Sequence, residues 1–413
     1  MKIKHDLVVV GGGLSGVAAA VSAARRGLSV IILEKGNCFG GAASNSLVHP
    51  FMLFRTKEKV LCRGIFEEIG NELSKKDKFI TRGNDTFFHD EYMKLVLNRM
   101  VINSGADILF HAKVIDVVKE GEKITQVVVS TPGEKLFIEA DYFIDATGDA
   151  DIAYKSGCGF TLGRGDGLCQ PMTLCFRLVN VDTAKINRLE INNLYKEKQQ
   201  SGEIKNLRED VLMFKTLMDG VMHFNTTRIV KLNPTDIFDI TKAEIDAREQ
   251  VYEIFEFLKE NFEAFKNSEI IVTAPEIVRR ESRMINGEYV LTGDDLKDLI
   301  KFEDRIALGN YEVDIHNPEG TGTSHYFFKD GEYYSIPYRS LLPKEVTNLV
   351  VVGRCISANH EAQAAIRIMP IVCCVGQAGG TAVVVAKESG KSLNKIDVSK
   401  LQEYLKADGA DID

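Results

Sequence analysis

The fold is decided close to the N-terminus, where residues 7–16 read LVVVGGGLSG. The apolar run predicts a strand buried on both faces, and the alanine-rich residues 17–26 that follow predict a helix. Between them, Gly11, Gly13 and Gly16 have the spacing G-x-G-x-x-G. In such a turn the first glycine permits the tight bend, the second lets the backbone approach a pyrophosphate, and the third lets the helix pack close to the sheet. The segment therefore predicts a nucleotide-binding strand–turn–helix unit.

A second strand is predicted over residues 28–33, and it ends at Glu34. This acid lies roughly twenty residues after the glycines, where a dinucleotide-binding fold carries the carboxylate that accepts hydrogen bonds from an adenosine ribose. The same carboxylate would repel a 2′-phosphate. Because strand, turn, helix, strand and acid follow in the expected order, we predict an α/β protein that opens with a Rossmann-type fold.

Further glycine-rich segments favour FAD over NAD as the nucleotide. The pair Gly40-Gly41 follows Glu34 closely and would let the backbone approach the flavin half of an extended cofactor. The predicted strand ends at Gly148 and Gly353 offer two more such places, which an NAD domain does not need. The residues predicted from these motifs to contact FAD are Gly11, Gly13, Leu14, Ser15, Gly16, Glu34, Gly40, Gly41, Ala42, Ala146, Thr147, Gly148, Gly353 and Arg354.

A chain of 413 residues exceeds the size of one compact core, because cores stop growing near ~250–300 residues. Residues 159–335 also differ from the flanking segments in sequence pattern: a charged amphipathic helix is predicted over residues 242–265, and polar loops occur, such as residues 316–322. We therefore predict a FAD-binding domain made of residues 1–158 and 336–413. An inserted, largely β (α+β) substrate domain over residues 159–335 interrupts it.

Composition and charge argue against several classes of protein. A net charge of −8 disfavours a nucleic-acid partner, which needs a basic surface. No apolar run reaches the ~18 residues that span a bilayer, so no membrane partner is expected. The apolar run before Gly11 is too short for a signal peptide and lacks a cleavage site. The eight cysteines form no C-x-x-C pair, and no histidine cluster accompanies them at metal spacing. We therefore expect a cytoplasmic protein with reduced thiols and no bound metal.

Segments along almost the whole chain resemble one known family. They are residues 10–16, 34–35, 144–151, 170–174, 225–228, 280–283, 287–289, 314–318, 336–339, 353–354, 360–362, 367–370 and 376–378. Together they resemble the FAD-dependent oxidoreductases of the glutathione-reductase-like flavoprotein superfamily, and within it a bacterial group. The resemblance implies that Lys35 belongs to the cofactor site and that the strand at Val114 offers backbone to the adenine. It also implies that a helix beginning near Met369-Pro370 directs its N-terminus at the flavin, where it would stabilise the negative charge of the reduced ring.

Two departures from related proteins shape the expectation. Relatives that bind FAD covalently carry a histidine shortly after the first strand–helix–strand unit. Residues 40–45 contain no histidine and His49 is out of register, so we predict non-covalent FAD. Other relatives carry a second G-x-G-x-x-G domain for NADH or NADPH. The glycines in residues 163–167 and 320–322 lack that spacing, so electrons must come from the substrate, a redox partner or a transiently bound cofactor.

Catalysis needs a group that moves a proton and groups that hold the substrate over the flavin. His360 follows the predicted strand end at Gly353, and we predict that it transfers the proton; the alternative is a histidine that only hydrogen-bonds a loop. Arg280, Arg283 and Arg367 are predicted to bind a carboxylate, since a guanidinium matches its geometry. The alternative for each arginine is an ion pair that joins the two domains. Further candidates are Arg279, His325 and Tyr326.

These residues predict hydride transfer between flavin N5 and a small, anionic organic substrate. The sequence does not distinguish an oxidase, a dehydrogenase and an ene-reductase, because it does not show what reoxidises or reduces the flavin. A redox-neutral flavoenzyme, such as a hydratase or isomerase, is one alternative. The flavin subunit of an electron-transfer complex is another, and its iron–sulfur clusters would have to lie in a redox partner. A homo-oligomer is equally compatible with the sequence.

Overall fold

The computed structural model describes residues 2–413, with the backbone alone for Lys2. The helices are α1 (Leu14–Arg25), α2 (Ile65–Ser74), α3 (Asp90–Ser104), α4 (Asp151–Lys155), α5 (Arg188–Ser201), α6 (Ile237–Asn261), α7 (Gly293–Lys297), α8 (His360–Ile366), α9 (Met369–Ser389) and α10 (Val398–Ala407). The strands are β1 (Lys2–Val10), β2 (Val30–Leu33), β3 (Phe79–Arg82), β4 (Asp85–Phe88), β5 (Asp107–Leu109), β6 (Lys113–Glu120), β7 (Lys123–Ser130), β8 (Leu136–Asp145), β9 (Phe160–Leu162), β10 (Phe176–Val179), β11 (Met213–Lys215), β12 (Met222–Phe224), β13 (Glu269–Thr273), β14 (Arg283–Ile285), β15 (Arg305–Gly309), β16 (Val313–His316), β17 (Thr323–Tyr326), β18 (Tyr334–Pro337) and β19 (Leu349–Val351).

The central element is a seven-stranded sheet with the order β5-β2-β1-β8-β7-β6, in which β19 pairs with the end of β8. Strands β5, β2, β1, β8 and β19 are parallel, whereas β7 and β6 add an antiparallel ribbon to β8. The runs Leu7–Val10 and Val30–Leu33 are buried, as parallel strands covered on both faces must be. This sheet confirms the predicted α/β class with a Rossmann-type nucleotide fold.

One strand differs from the expectation. The sequence predicts separate strands over residues 136–140 and 141–146, but the structure shows the single strand β8. Its first half pairs with β7 and its second half with β19, while β1 lies along its other edge. Each half of β8 forms hydrogen bonds with a different neighbouring strand on the same edge, so β8 can change partner without a break in the strand. The local sequence does not show this change of partner.

Helix α9 packs directly on α1 because two of its glycines leave room for the neighbouring backbone. A Cβ atom on Gly376 would overlap the carbonyl oxygen of Ser15, and one on Gly380 would overlap that of Ala19. The helix expected to begin near Met369-Pro370 is confirmed, with the observed bounds Met369–Ser389. Within the described residues it is the one helix long and apolar enough to cross a membrane, but 94% of its most apolar window is buried inside the protein. Burial in the core accounts for its composition.

A second core lies between the sheet β11-β12-β10-β13 and helices α5 and α6. Buried residues between Met172 and Ile277, together with Leu47, form it. Residues between Leu291 and Tyr334 pack instead in the main core with α9. The pairing of β9 with β14 joins the two ends of the intervening segment. We therefore propose a shorter insertion than residues 159–335, bounded by these two strands.

Candidate active site

A cavity of about 970 Å³ lies at the carboxyl ends of β1, β2, β8 and β19. This is the edge at which open α/β sheets bind ligands, and the volume is at the upper end of the ~300–1,000 Å³ typical of ligand sites. Gly16 and Pro370 are buried without lining it. The predicted cofactor residues that the structure brings together on its wall are Gly11, Gly13, Leu14, Ser15, Glu34, Lys35, Gly40, Gly41, Ala42, Val114, Ala146, Thr147, Gly148, Gly353, Arg354 and Met369.

The three glycines of the turn differ in what surrounds them. Gly11 has a φ of +105°, and a Cβ atom there would overlap the carbonyl group of Ala146. A Cβ atom on Gly16 would overlap the carbonyl oxygen of Gly11. At Gly13, by contrast, no atom of the described residues other than its chain neighbours lies within 4 Å of the position of a Cβ atom. The first and third glycines are therefore required by the fold, whereas the second opens toward the cavity.

Glu34 holds the turn in place from the end of β2. Its carboxylate accepts the amide hydrogen of Gly12 at 2.6 Å and that of Gly36 at 2.7 Å. Burial raises the pKa of Glu34, although these two hydrogen bonds oppose the rise. Each carboxylate oxygen keeps a further lone pair, so the ribose contact predicted from the sequence remains compatible with this arrangement.

Two helix N-termini reach the cavity. Leu14 begins α1 and Met369 begins α9, and the preceding residues, Gly13 and Ile368, give neither helix a side-chain cap. The first N–H groups of any α-helix lack intrahelical partners, and here no capping side chain accepts a hydrogen bond from them. The helix dipoles favour negative charge beside them. One end suits a pyrophosphate and the other an anionic ring or substrate.

Asp149 joins the sheet to the inserted segment at the cavity wall. The carboxylate accepts hydrogen bonds from Arg354 and Ser282, both at 2.6 Å, and pairs with Arg279. Burial would raise the pKa of Asp149, but Arg354, Arg279 and the hydroxyl of Ser282 outweigh it and hold that pKa well below the usual range. Sequence reasoning did not select Asp149, although it lies in a segment that carries the family resemblance.

The far end of the cavity is rich in arginine. Arg280 is 6% exposed and donates hydrogen bonds to the carbonyl of Pro171 at 2.8 Å and to the amide oxygen of Asn225 at 3.0 Å. Burial, together with the neighbouring Arg367 and Arg208, lowers the pKa of Arg280 to about 9, so it is still cationic at neutral pH. Both Arg280 and Arg367, predicted to hold substrate, line this end.

Arg367 belongs to a network centred on Asp314. The Oδ2 atom of Asp314 lies 3.1 Å from Arg367, accepts the hydroxyl of Tyr311 at 3.0 Å, and is 3.3 Å from Nε2 of His316. Burial raises the pKa of the Asp314 carboxyl, but these neighbours outweigh it and hold the pKa low. Sequence reasoning missed Tyr311, Asp314 and His316 as site residues. The one signal was the segment 314–318 of the family resemblance, which local pattern alone could not place at the cavity.

Two predicted catalytic residues do not line this cavity, which counts against direct contact with the substrate. His360 opens onto a second cavity of about 1130 Å³, where its Nδ1 lies 2.7 Å from the buried carboxylate of Glu281. Arg283 is held by the carbonyl of Asp149 and the carboxylate of Asp151, both at 2.9 Å. Both side chains are held by partners within the protein, which agrees with the alternative given for each from the sequence: a histidine that only forms a hydrogen bond, and an arginine that joins two parts of the chain. The second cavity is lined by residues from the segments 160–167, 315–324 and 359–361.

His49 does line the main cavity, although its register disfavoured a role at the flavin. Its ring lies 4.9 Å from that of Phe88 and 5.6 Å from that of His223, between ring centroids. Neither nitrogen of His49 has a hydrogen-bond partner among the described residues. Burial, together with nearby Arg177, lowers the pKa of His49 to about 3, so the imidazole is neutral at physiological pH.

Comparison with known proteins defines the class. A family model described as FAD dependent oxidoreductase matches residues 6–405, and the chain therefore belongs to the FAD-dependent oxidoreductase family. This confirms the predicted FAD-dependent oxidoreductase family, an enzyme, and FAD as its cofactor.

Individual relatives are more distant. The chain is 31% identical to thiamine thiazole synthase of Methanococcus aeolicus over 163 residues, which are 37% of this chain and 58% of that protein. It is 31% identical to the thiamine thiazole synthase of Metallosphaera sedula over 159 residues, or 36% of this chain and 56% of that protein. The chain thus spans less than three fifths of the length of these relatives. The crystal structure of p-nitrophenol 4-monooxygenase PnpA from Pseudomonas putida DLL-E4 is 11% identical, covers 98% of this chain and 83% of its own, and has a TM-score of 0.50. That likeness concerns the fold alone.

The cavity fits the cofactor of the family. The open side of Gly13 and the uncapped start of α1 suit the pyrophosphate, and Glu34 is placed for the ribose. The uncapped start of α9 suits the flavin ring. That these particular residues bind FAD stays a prediction.

Proposed function

We propose that the protein transfers a hydride between N5 of non-covalently held FAD and a small anionic organic molecule. Bound FAD supplies the hydride chemistry, while the chain binds and orients the substrate and shields it from water. One observation carries the proposal, which is that Arg280 is a buried cation on the cavity wall with no carboxylate partner among the described residues. The other arginines on the wall are paired: Arg208 with Asp210, Arg367 with Asp314, and both Arg279 and Arg354 with Asp149.

An uncompensated buried charge is costly, because desolvation of an ion costs several kcal/mol after relaxation. Arg280 bonds to neutral oxygens, those of Pro171 and Asn225, which offset part of this cost. The carboxylate of a substrate would offset the rest, and a guanidinium can bind it with two parallel hydrogen bonds. The apolar wall residues Phe214 and Val372 would exclude water from the same space.

The test follows flavin absorbance in purified protein without oxygen while a panel of small carboxylates, including acetate, succinate and benzoate, is added. Carboxylates that bind should perturb the flavin spectrum, and a true reducing substrate should bleach it. Arg280→Gln should weaken carboxylate binding at least tenfold with the FAD content unchanged, and Arg280→Lys should weaken it less. The matched control is Arg248→Gln, because Arg248 is an exposed arginine paired with Glu244 on helix α6, and this variant should bind carboxylates as the unchanged protein does.

Equal binding of carboxylates and their neutral amides, or unchanged binding by Arg280→Gln, would rule out the anionic substrate. A turned-over compound that never bleaches the flavin would favour a redox-neutral flavoenzyme. Co-purification with an iron–sulfur protein that bleaches the flavin would favour the subunit of an electron-transfer complex.

A further inference from the structure

We propose that Glu312, Asp314 and His325 form a binding site for a divalent transition-metal ion at the wall of the main cavity. The three side chains offer two carboxylate oxygens and one imidazole nitrogen, and these ligand atoms all lie within 4.8 Å of one another. The inference goes beyond the proposed hydride transfer and does not depend on it.

The β16–β17 hairpin brings the three groups to one face. Asp314 and His325 are directly opposite each other in the antiparallel register. Glu312 precedes Asp314 by two residues, and residues two apart along an extended chain point to the same side. As a result, Nδ1 of His325 lies 3.3 Å from Oε1 of Glu312 and 3.7 Å from Oδ1 of Asp314.

The two carboxylate oxygens of Asp314 differ in their hydrogen-bond partners. Arg367, Tyr311 and His316 all converge on Oδ2. The Oδ1 atom is buried, in a side chain that is 9% exposed, and has no hydrogen-bond partner among the described residues. A buried carboxylate oxygen without a donor is costly, and a cation at this position would offset that cost. The donors on Oδ2 would then act as the outer groups that orient a metal-binding carboxylate.

The chemistry of the ligands selects the type of ion. Carboxylates suit Mn²⁺ and imidazole suits zinc and iron, so a mixed set favours a first-row divalent ion over Ca²⁺ or Mg²⁺. Ligand distances near ~2.1 Å place neighbouring donor atoms roughly 3 Å apart, close to the 3.3 and 3.7 Å that separate His325 from Glu312 and Asp314. All three side chains line the main cavity, and the space beside them leaves ligand positions for water or for an anion.

The competing explanation is that His325 and Glu312 form a simple ion pair beside Asp314. The experiment titrates the FAD-containing protein with Mn²⁺ and measures free Mn²⁺ by electron paramagnetic resonance. We expect one bound ion per chain, with binding weakened at least tenfold by His325→Gln and by Glu312→Gln. His325 is 37% exposed, so its replacement should leave the fold intact, which circular dichroism checks.

The control is His5→Gln, because His5 and Asp107 form another histidine–carboxylate pair, at 3.7 Å, to which the described residues add no third ligand. This variant should bind Mn²⁺ as the unchanged protein does. Absence of bound Mn²⁺ at millimolar concentration, or equal binding by the Glu312→Gln/His325→Gln double variant, would overturn the proposal in favour of the ion pair.

Discussion

Gly16 lies against the carbonyl oxygen of Gly11 so closely that a side chain at Gly16 would overlap it. The contact fixes the first turn of α1 onto the end of β1 and thereby sets the shape of the cavity beneath it. Gly13, between them, has no such neighbour and has a φ of −65°, which any residue can adopt. Two glycines of the motif are thus needed by the fold, whereas we predict that Gly13 is needed by the ligand.

Gly13→Ala should therefore fold normally and bind FAD poorly. The new methyl group would stand where a pyrophosphate approaches the backbone, and we expect FAD affinity to fall at least tenfold. The thermal unfolding midpoint of the FAD-free protein should change by no more than a few degrees. Titration of FAD by fluorescence quenching measures the affinity.

Gly16→Ala is the matched control for that variant. Because its methyl group would overlap backbone, this protein should be destabilised by several kcal/mol or fail to fold. If Gly13→Ala bound FAD as tightly as the unchanged protein, the assignment of the pyrophosphate to this turn would be wrong.

Asp149 should make stability depend on acid pH. Its pKa in the folded protein is depressed below the ordinary 3.8 by Arg354 and Arg279. A depressed pKa contributes stability that is present above the unfolded pKa and is lost as pH falls through the folded one. The unfolding midpoint should therefore drop progressively below about pH 4 to 5.

Asp149→Asn should cost about 3 kcal/mol at pH 7, because it leaves two arginines without their buried carboxylate. The difference from the unchanged protein should shrink as the pH falls. Scanning fluorimetry from pH 3 to 8 would record the unfolding midpoint of the unchanged protein and of Asp149→Asn. The control is Asp294→Asn, since Asp294 is 87% exposed, and its midpoints should equal those of the unchanged protein at every pH. Parallel curves for Asp149→Asn and the unchanged protein would contradict this account.

Asp145 is expected to be essential for the strand end at β8. Its Oδ1 accepts the N–H and the hydroxyl of Thr147, and its Oδ2 accepts the N–H groups of Ile152 and Ala153 at 2.8 and 3.0 Å. Asp145→Asn would turn an amide N–H₂ toward donors and cost about 2–4 kcal/mol. Thr147→Ser keeps the hydroxyl and should cost less than 1 kcal/mol. A thermal midpoint for Asp145→Asn equal to that of Thr147→Ser would show that the four bonds contribute little.

Acid precipitation should release all the flavin into the supernatant. The prediction follows from non-covalent binding, and absorbance of pellet and supernatant measures it. Flavin retained in the pellet would show a covalent bond. His49 lines the cavity, and its ring nitrogens have no hydrogen-bond partner among the described residues, so it would then be the first position to replace, and His49→Asn should restore release.

Local sequence determined the nucleotide-binding part of the protein. The spacing of Gly11, Gly13 and Gly16 and the acid at Glu34 are requirements of a few neighbouring backbone groups, so they are legible without knowing the rest of the chain. The same holds for the buried strands and for the small residues of α9, whose periodicity reflects close packing. The prediction of two separate strands in place of β8 was wrong, because strand pairing depends on distant segments and not on local sequence.

The substrate end was decided by tertiary structure. Asp149 meets Arg279 and Arg354 across 130 and 205 residues of chain, and no local pattern encodes such contacts. His360 was predicted at the flavin because it follows a strand end, but it lines the second cavity, and Thr323 of the β16–β17 hairpin borders both cavities. Residue types could therefore be chosen from the sequence. Which of them share a cavity depends on how distant segments pack, since burial and charge pairing are set by neighbours in space.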